Sequence, residues 1–541
     1  MMNRTATMAS IAVLMASLAA CGGGDDPSPA PAPSPAPSVA VGDTVVLTES
    51  AQLASFNRAA PGTLVGSVVI SGLADGEALH GIDFRPADGQ LYALSSAGRL
   101  YTIVPSTGVA TVKATLRAAT GDAYAGLSGT HFGVDFNPVA DRLRVVSNTG
   151  QNLRINVDTG DVISDGAIRP ATGSAAVTAA AYTNSFAGTT TTALYDLDAA
   201  AGLLLLQDPP NSGTLGAGVA LGVTPAAVNG FDIEARSNVG YAALSVGGST
   251  ALYTVNLGAT TAAATLVGTI PLGQAVRGLA LVQPAAPTAI GLTTDNRLVG
   301  FDPRSPTTLS STVAITGLGA GESVLGIDVR PADRLLYALT SAGRLYTVDP
   351  ATGVASAKST LSADPADATL PYGGLAGTRF SVDFNPVADR LRVISDQGQN
   401  LRINVETGAT TTDGVINRGG AAPLVVAAAY TNSFAGTPST VLYDIDAVSG
   451  VLARQDPPNN GTLVDVGSLG LGIAGLAAFD IAGGANGLAL AALGGSTGPA
   501  TLYNVSLTTG ALTPYRGTAD PTLSRVGGAS GPGLRDLAIR F

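Results

Sequence analysis

The chain has 541 residues and a formal net charge of −11; only 12% of its residues are charged, and it carries 69 glycines and 32 prolines. An acidic chain without a Lys/Arg cluster has no means of neutralising phosphates, which argues against a nucleic-acid partner. Two histidines and a single cysteine supply no ligand set for structural zinc and little material for Ser-His-Asp or Cys-His catalysis.

In chain order, Arg4 provides a positive start and residues 11–20 (IAVLMASLAA) an apolar run shorter than the roughly 20 residues a spanning helix needs. The run ends in Leu18-Ala19-Ala20-Cys21 and resembles a bacterial lipoprotein signal peptide, with Cys21 in the place of the lipidated residue. Residues 1–21 are therefore expected to be the signal peptide. Residues 22–42 form a Pro/Ala/Ser-rich tether that cannot bury enough apolar area to fold. Gly22 after Cys21 resembles the proteobacterial pattern for transfer to the outer membrane, which gives an expected address: exported, lipid-anchored to a bacterial membrane of the cell envelope, the outer membrane by this pattern, and facing the periplasm or the surface. With Cys21 lipidated, the exported body stands without disulfides.

The body repeats itself. Residues 132–160 and 380–408 are identical at 24 of 29 positions, and residues 81–110 and 326–355 at 23 of 30. A shorter period lies inside. Segments beginning at Gly81, Gly133, Ala180, Gly230 and Gly278, then Gly326, Ser381, Ala428, Ala478 and Asp536, recur at intervals of 47 to 58 residues. Within one period, GIDVRP, LLYALTS and RLYTVD from Gly326 to Asp349 read as three antiparallel strands joined by tight turns, with Gly353 at positive φ and a fourth strand near residues 354–361. Four short strands per roughly 50 residues predict an all-β propeller blade; a pair of β-sandwiches predicts no such period.

The first blade, residues 45–71, has only three strands, so a later strand must complete it. Residues 278–282 completing it, and residues 536–541 completing the sheet that starts near Ala289, give two tandem five-bladed propellers: 43–283 and 289–541, with 284–288 as linker. Residues 278–282 continuing straight into 289–293 give one ten-bladed ring instead. The motifs GIDFRPADGQLYAL, FNPVADRLRVVSNTGQNLRINVDTG, AAAYTNSFAGT and LYDLDAAAGLLLLQDPPNSGTL resemble the bacterial domain-of-unknown-function family 4394, in two copies over 43–541. The resemblance implies a propeller-like fold and an exported setting, and no defined functional residues.

Candidate chemistry rests on repeated charges. Asp83, Asp135 and Asp232 recur as Asp328, Asp383 and Asp480 on the candidate innermost strands. Converging there, they would suit Ca²⁺; alternatively each accepts backbone N–H bonds and locks neighbouring blades. Arg142, Arg144 and Arg154 recur as Arg390, Arg392 and Arg402. They are candidate contacts for an acidic ligand, or partners of Asp135 and Asp141 and their copies. His80 and His131 are replaced by Leu325 and Arg379 in the second copy, which favours a turn or surface role over catalysis. These features leave three functions: a lipid-anchored binding or scaffold protein for a protein, peptide or glycan; a Ca²⁺-dependent hydrolase or lyase; or a structural envelope protein.

Overall fold

A computed structural model describes residues 38–170, 173–226, 229–283, 287–419, 422–483, 488–495 and 498–540. The expected signal peptide with Cys21, most of the tether, and residues 284–286 of the expected linker lie outside the described residues. What is described is all-β: ten sheets, seven of four strands, two of five and one of six.

The strand at one edge of each sheet is almost wholly buried. In chain order these inner strands are β1 (Leu79–Phe84), β2 (Phe132–Asn137), β3 (Val177–Tyr182), β4 (Asn229–Ile233), β5 (Val276–Leu281), β6 (Val324–Val329), β7 (Phe380–Asn385), β8 (Val425–Tyr430), β9 (Leu476–Ala482) and β10 (Leu534–Arg540). In the first half β1 packs beside β2, β2 beside β3, β3 beside β4, β4 beside β5, and β5 beside β1. The second half repeats the sequence of contacts, from β6 through β10 and back to β6. Small residues stand where these strands approach closely: a Cβ at Gly133 would lie 2.6 Å from the Ala180 backbone nitrogen, and one at Gly230 2.4 Å from that of Leu279.

Two sheets are completed from far along the chain. β5 pairs antiparallel with Thr44–Thr48, Thr44 opposite Leu281, and β10 pairs with Thr288–Thr293, Ala289 opposite Ile539. The continuation of residues 278–282 into a pairing with 289–293, which a single ring requires, is absent among the described residues. Within a sheet the hairpins follow the expected pattern. The sheet of β6 continues through Leu336–Thr340 and Arg344–Val348 to Ala355–Thr360. Gly353 takes φ +75°, and a Cβ there would meet the Ala314 carbonyl oxygen at 2.1 Å.

The apolar alternation builds cores between successive sheets, not inside each one. Tyr92, Leu94 and Leu100 pack with Phe136, Leu143 and Val145 of the next sheet, and Tyr337, Leu339 and Leu345 do the same with Phe384, Leu391 and Val393. The halves also meet. Phe186 and Ala235 of the first half join a core of the second with Phe301, Leu490 and Leu502. Tyr515 Oη donates to the Gly188 carbonyl at 3.1 Å, and Gln283 Nε2 to Ser185 Oγ at 3.1 Å.

Candidate functional site

The repeated aspartates converge, one triad in each half. Asp83 (β1), Asp135 (β2) and Asp232 (β4) are buried and offer carboxylate oxygens within 4.8 Å of one another; Asp328 (β6), Asp383 (β7) and Asp480 (β9) do the same. Each also locks a neighbouring sheet. Asp83 Oδ2 accepts from Phe136 N at 2.7 Å, Asp135 Oδ1 from Tyr182 N at 3.0 Å and Asp232 Oδ2 from Leu281 N at 2.7 Å. Asp328 accepts from Phe384 N at 2.7 Å, Asp383 from Tyr430 N at 2.9 Å and Asp480 from Ile539 N at 2.5 Å. A carboxylate thus does between sheets what a ladder hydrogen bond does within one.

Burial pushes all six carboxyls upward, Asp232 to about 7 and Asp480 to about 6. Like charge adds to the rise: Asp232 on Asp83, Asp83 on Asp135, Asp480 on Asp328, and Asp328 on Asp383. Each triad is a place where negative charge is held at high cost, relieved by protons or by a cation.

The arginine row divides. Arg142 and Arg390 donate to carbonyls of their own turns, Ala140 and Asp141, and Ala388 and Asp389. Arg144 is buried, 1% exposed, and its guanidinium meets Tyr182 Oη (3.1 Å), Asn152 Oδ1 (2.7 Å), Asp165 Oδ2 (2.7 Å) and Asn211 Oδ1 (2.7 Å). Arg154 binds Asp165 through two bonds of 2.6 and 2.9 Å. Arg392 and Arg402 reproduce this around Tyr430, Asn400, Asp413 and Asn459.

The expected pairing with Asp135 is corrected. Arg144 stands directly opposite Asp135 in the ladder, but the short carboxylate is taken by Tyr182 N, and the long guanidinium reaches on to Asp165. Asp141 is claimed instead by Arg85 at 2.6 and 2.8 Å, and Asp389 by Arg330. Arg144 and Arg392 are therefore held through Nε and both Nη atoms by intramolecular acceptors, whereas Arg154 and Arg402 each give one fork to an aspartate and remain about a third exposed. The loop residues Asn211 and Asn459 serve these arginines, and Gln151 bonds to the Gly126 carbonyl and Ser128 N.

Three features were missed at the sequence level. Asp536 on β10 joins the second set of inner carboxylates, accepting from Ile327 N at 2.9 Å; its first-half counterpart is Gly278, so repetition could not reveal it. Asp196 and Asp444 are fully buried with neither oxygen hydrogen-bonded, close in register to Gln207 and Gln455, whose Oε1 atoms are equally unmatched. Their only signal was the repeated string LYD. The third feature is a cavity of about 630 Å³ between the halves. The first half contributes Asp43, Arg58, Glu234, Arg236 and Tyr241; the second contributes Arg330, Arg334, Phe434, Ala435 and Gly483. His80 and His131 lie elsewhere, near Arg277, and burial holds His80 down at about 4.

Ten short sheets of four to six strands in succession, with buried aspartates in two matching triads, define a tandem all-β repeat protein. The chain belongs to the family described as a domain of unknown function (DUF4394), matched over residues 52–280 and again over 297–522. No curated protein matches it.

Proposed function

We propose that this is an exported, lipid-anchored protein made of two five-bladed β-propellers, 43–283 and 289–541, that binds a ligand in the cavity between them. The two-ring reading rests on the separate strand completions, β5 onto Thr44–Thr48 and β10 onto Thr288–Thr293, and on the cyclic order of inner-strand contacts in each half. Attachment through Cys21 rests on the leader sequence. The observation that carries binding is the cavity itself. Its about 630 Å³ falls in the usual size range of small-molecule sites, about 300–1,000 Å³, and its lining is drawn from both copies.

The lining also breaks the repeat. The loop 185–188 of the first half inserts Phe186 into the core of the second, whereas the equivalent loop of the second half turns Phe434 and Ala435 to the cavity. The test is steric. Ala435→Trp in the full-length protein is expected to abolish retention of ligand from an extract of envelope small molecules and glycans, without changing the melting temperature. Equal retention by the variant and the parent would overturn the assignment.

A second reading, a Ca²⁺-dependent hydrolase or lyase, is favoured by one atom: Asp83 Oδ1 is buried without a hydrogen-bond partner beside Asp135 and Asp232. It predicts stoichiometric calcium in the purified protein and a melting temperature that rises with calcium at pH 8. Failure of calcium to move the melting curve removes this reading and leaves the first untouched.

A further inference from the structure

The repeat offers a control for what the shared fold needs. Residues common to both copies mostly build cores and inter-sheet locks; among residues present in one copy only, Asp536 also locks sheets, and those that do not are candidates for another role. Three cavity arginines belong to the second kind. The ladder sets Thr44 opposite Phe56 and Ala289 opposite Phe301, so Arg58 corresponds to Pro303. The motif GIDFRPADG against GIDVRPADR sets Arg334 against Gly89. The loop holding Arg236 corresponds to 483–487, GGANG, which has no arginine. Arg58 and Arg236 come from one half and Arg334 from the other, yet all three line one cavity.

The local charge runs against the whole. A chain of net charge −11 here gathers Arg58, Arg236, Arg330 and Arg334 against Asp43 and Glu234. Arg330 is saturated by Asp333, Asp389 and Glu406. Arg58 pairs with Asp43 at 3.3 Å and lies 4.9 Å from the Tyr241 ring centroid. Glu234 Oε2 is taken up by Ser237 and by the backbone N–H of Arg236. Arg334 makes no ion pair among the described residues. Burial and then Arg334 lower the pKa of Arg236; Glu234 opposes this and Arg58 adds to it. Arg236 and Arg334 line the same cavity from opposite halves, and an oxyanion placed between two guanidiniums offsets their mutual repulsion and can bond both.

We propose that the cavity between the halves binds an oxyanion-bearing small molecule, a carboxylate or a phosphate, held across the halves by Arg236 and Arg334 over the aromatic faces of Tyr241 and Phe434. This deepens the binding reading above and rests on it. Because the anion-holding groups come from both halves, occupancy would also fix one half against the other.

The test is calorimetric titration of the full-length protein with citrate, inorganic pyrophosphate and neutral glucose at low ionic strength. Citrate binding marks a carboxylate ligand, pyrophosphate binding a phosphate ligand, and either is expected to exceed glucose. Arg334→Gln, an exposed change, is expected to weaken the anion about tenfold, the loss of one charge-assisted contact, and Arg236→Gln to do the same. Arg390→Gln, an arginine that among the described residues bonds its own turn and does not line the cavity, should bind like the parent. No binding of either anion, or binding that both cavity variants leave unchanged, overturns the proposal. Ligand retention that Ala435→Trp removes but Arg334→Gln does not would sink the anion assignment while preserving the cavity as the binding site.

Discussion

Deleting residues 534–541 unfolds the second half of the chain and leaves the first half folded. β10 is the strand that completes the sheet of Thr288–Thr293, and no other described strand substitutes for it. Its side chains face two cores. Leu534, Leu537 and Ile539 pack with Phe301, Leu490 and Leu502, while Ala538 packs with Ile290 and Ile327. Three large buried side chains at about 1.5–3 kcal/mol each already approach the about 5–15 kcal/mol that holds a typical domain together. The deletion also removes Asp536, which locks Ile327 N, and orphans Asp480, which locks Ile539 N. Both links join β10 to its neighbours, so the loss falls on the inner strands that hold the sheets of this half together. Limited proteolysis is expected to degrade the second half and leave a resistant fragment ending near residue 283, because β5 remains paired with Thr44–Thr48. Addition of a peptide of residues 534–541 in excess should restore protection. Parent-like melting of the truncated protein would refute the completion of this sheet by a late strand.

How much of this could be read beforehand depends on the length scale of each signal. The period near 50 residues and the strand–turn pattern around GIDVRP gave the hairpins nearly residue by residue, because alternation and turn chemistry are local. Late strand completion was legible too: a three-stranded first sheet and an orphan GLALV or DLAIRF segment leave few partners. The aspartate triads were visible because duplication repeats them. The arginine partners were not, although Arg144 and Asp135 sit opposite in the ladder, since the reach of a guanidinium past its nearest carboxylate is a matter of packing, not register. The cavity was invisible for a further reason. Arg58, Arg236 and Arg334 are the residues that the two copies do not share, so a search for repeated motifs passes over them, and only the docking of one half on the other brings them together.

Raising the pH from 6.5 to 8 destabilises the protein, and the buried pair Asp196 and Asp444 accounts for much of the loss. Burial pushes both carboxyls up to about 8, with Arg144 and Arg392 opposing. A carboxyl whose folded pKa lies above its unfolded value near 3.8 takes up a proton on folding. Its contribution to stability is full below the unfolded value and is lost progressively as pH rises to the folded one. The window is therefore about pH 4 to 8. Gln207 Oε1 and Gln455 Oε1, also buried and without donors, lie on the same sheet faces two residues along the ladder. Asp232, at about 7, and the other raised carboxyls act in the same direction. His80, held at about 4, acts in the opposite one. Its term is nearly complete by pH 6.5, which is why the upper part of the window isolates the carboxyls. At about 1.4 kcal/mol per unit, the remaining one and a half units amount to about 2 kcal/mol for each of the two. Asn at both positions keeps the size and a donor of the protonated carboxyl and cannot ionise. Chemical denaturation of Asp196→Asn/Asp444→Asn is expected to show a loss between pH 6.5 and 8 that is smaller than the parent's by about 4 kcal/mol, with the variant the more stable at pH 8. A parent whose stability is flat or rising over this interval, or a double variant with an unchanged slope, would show that these carboxyls are already ionised in the fold and that Arg144 and Arg392 hold them so.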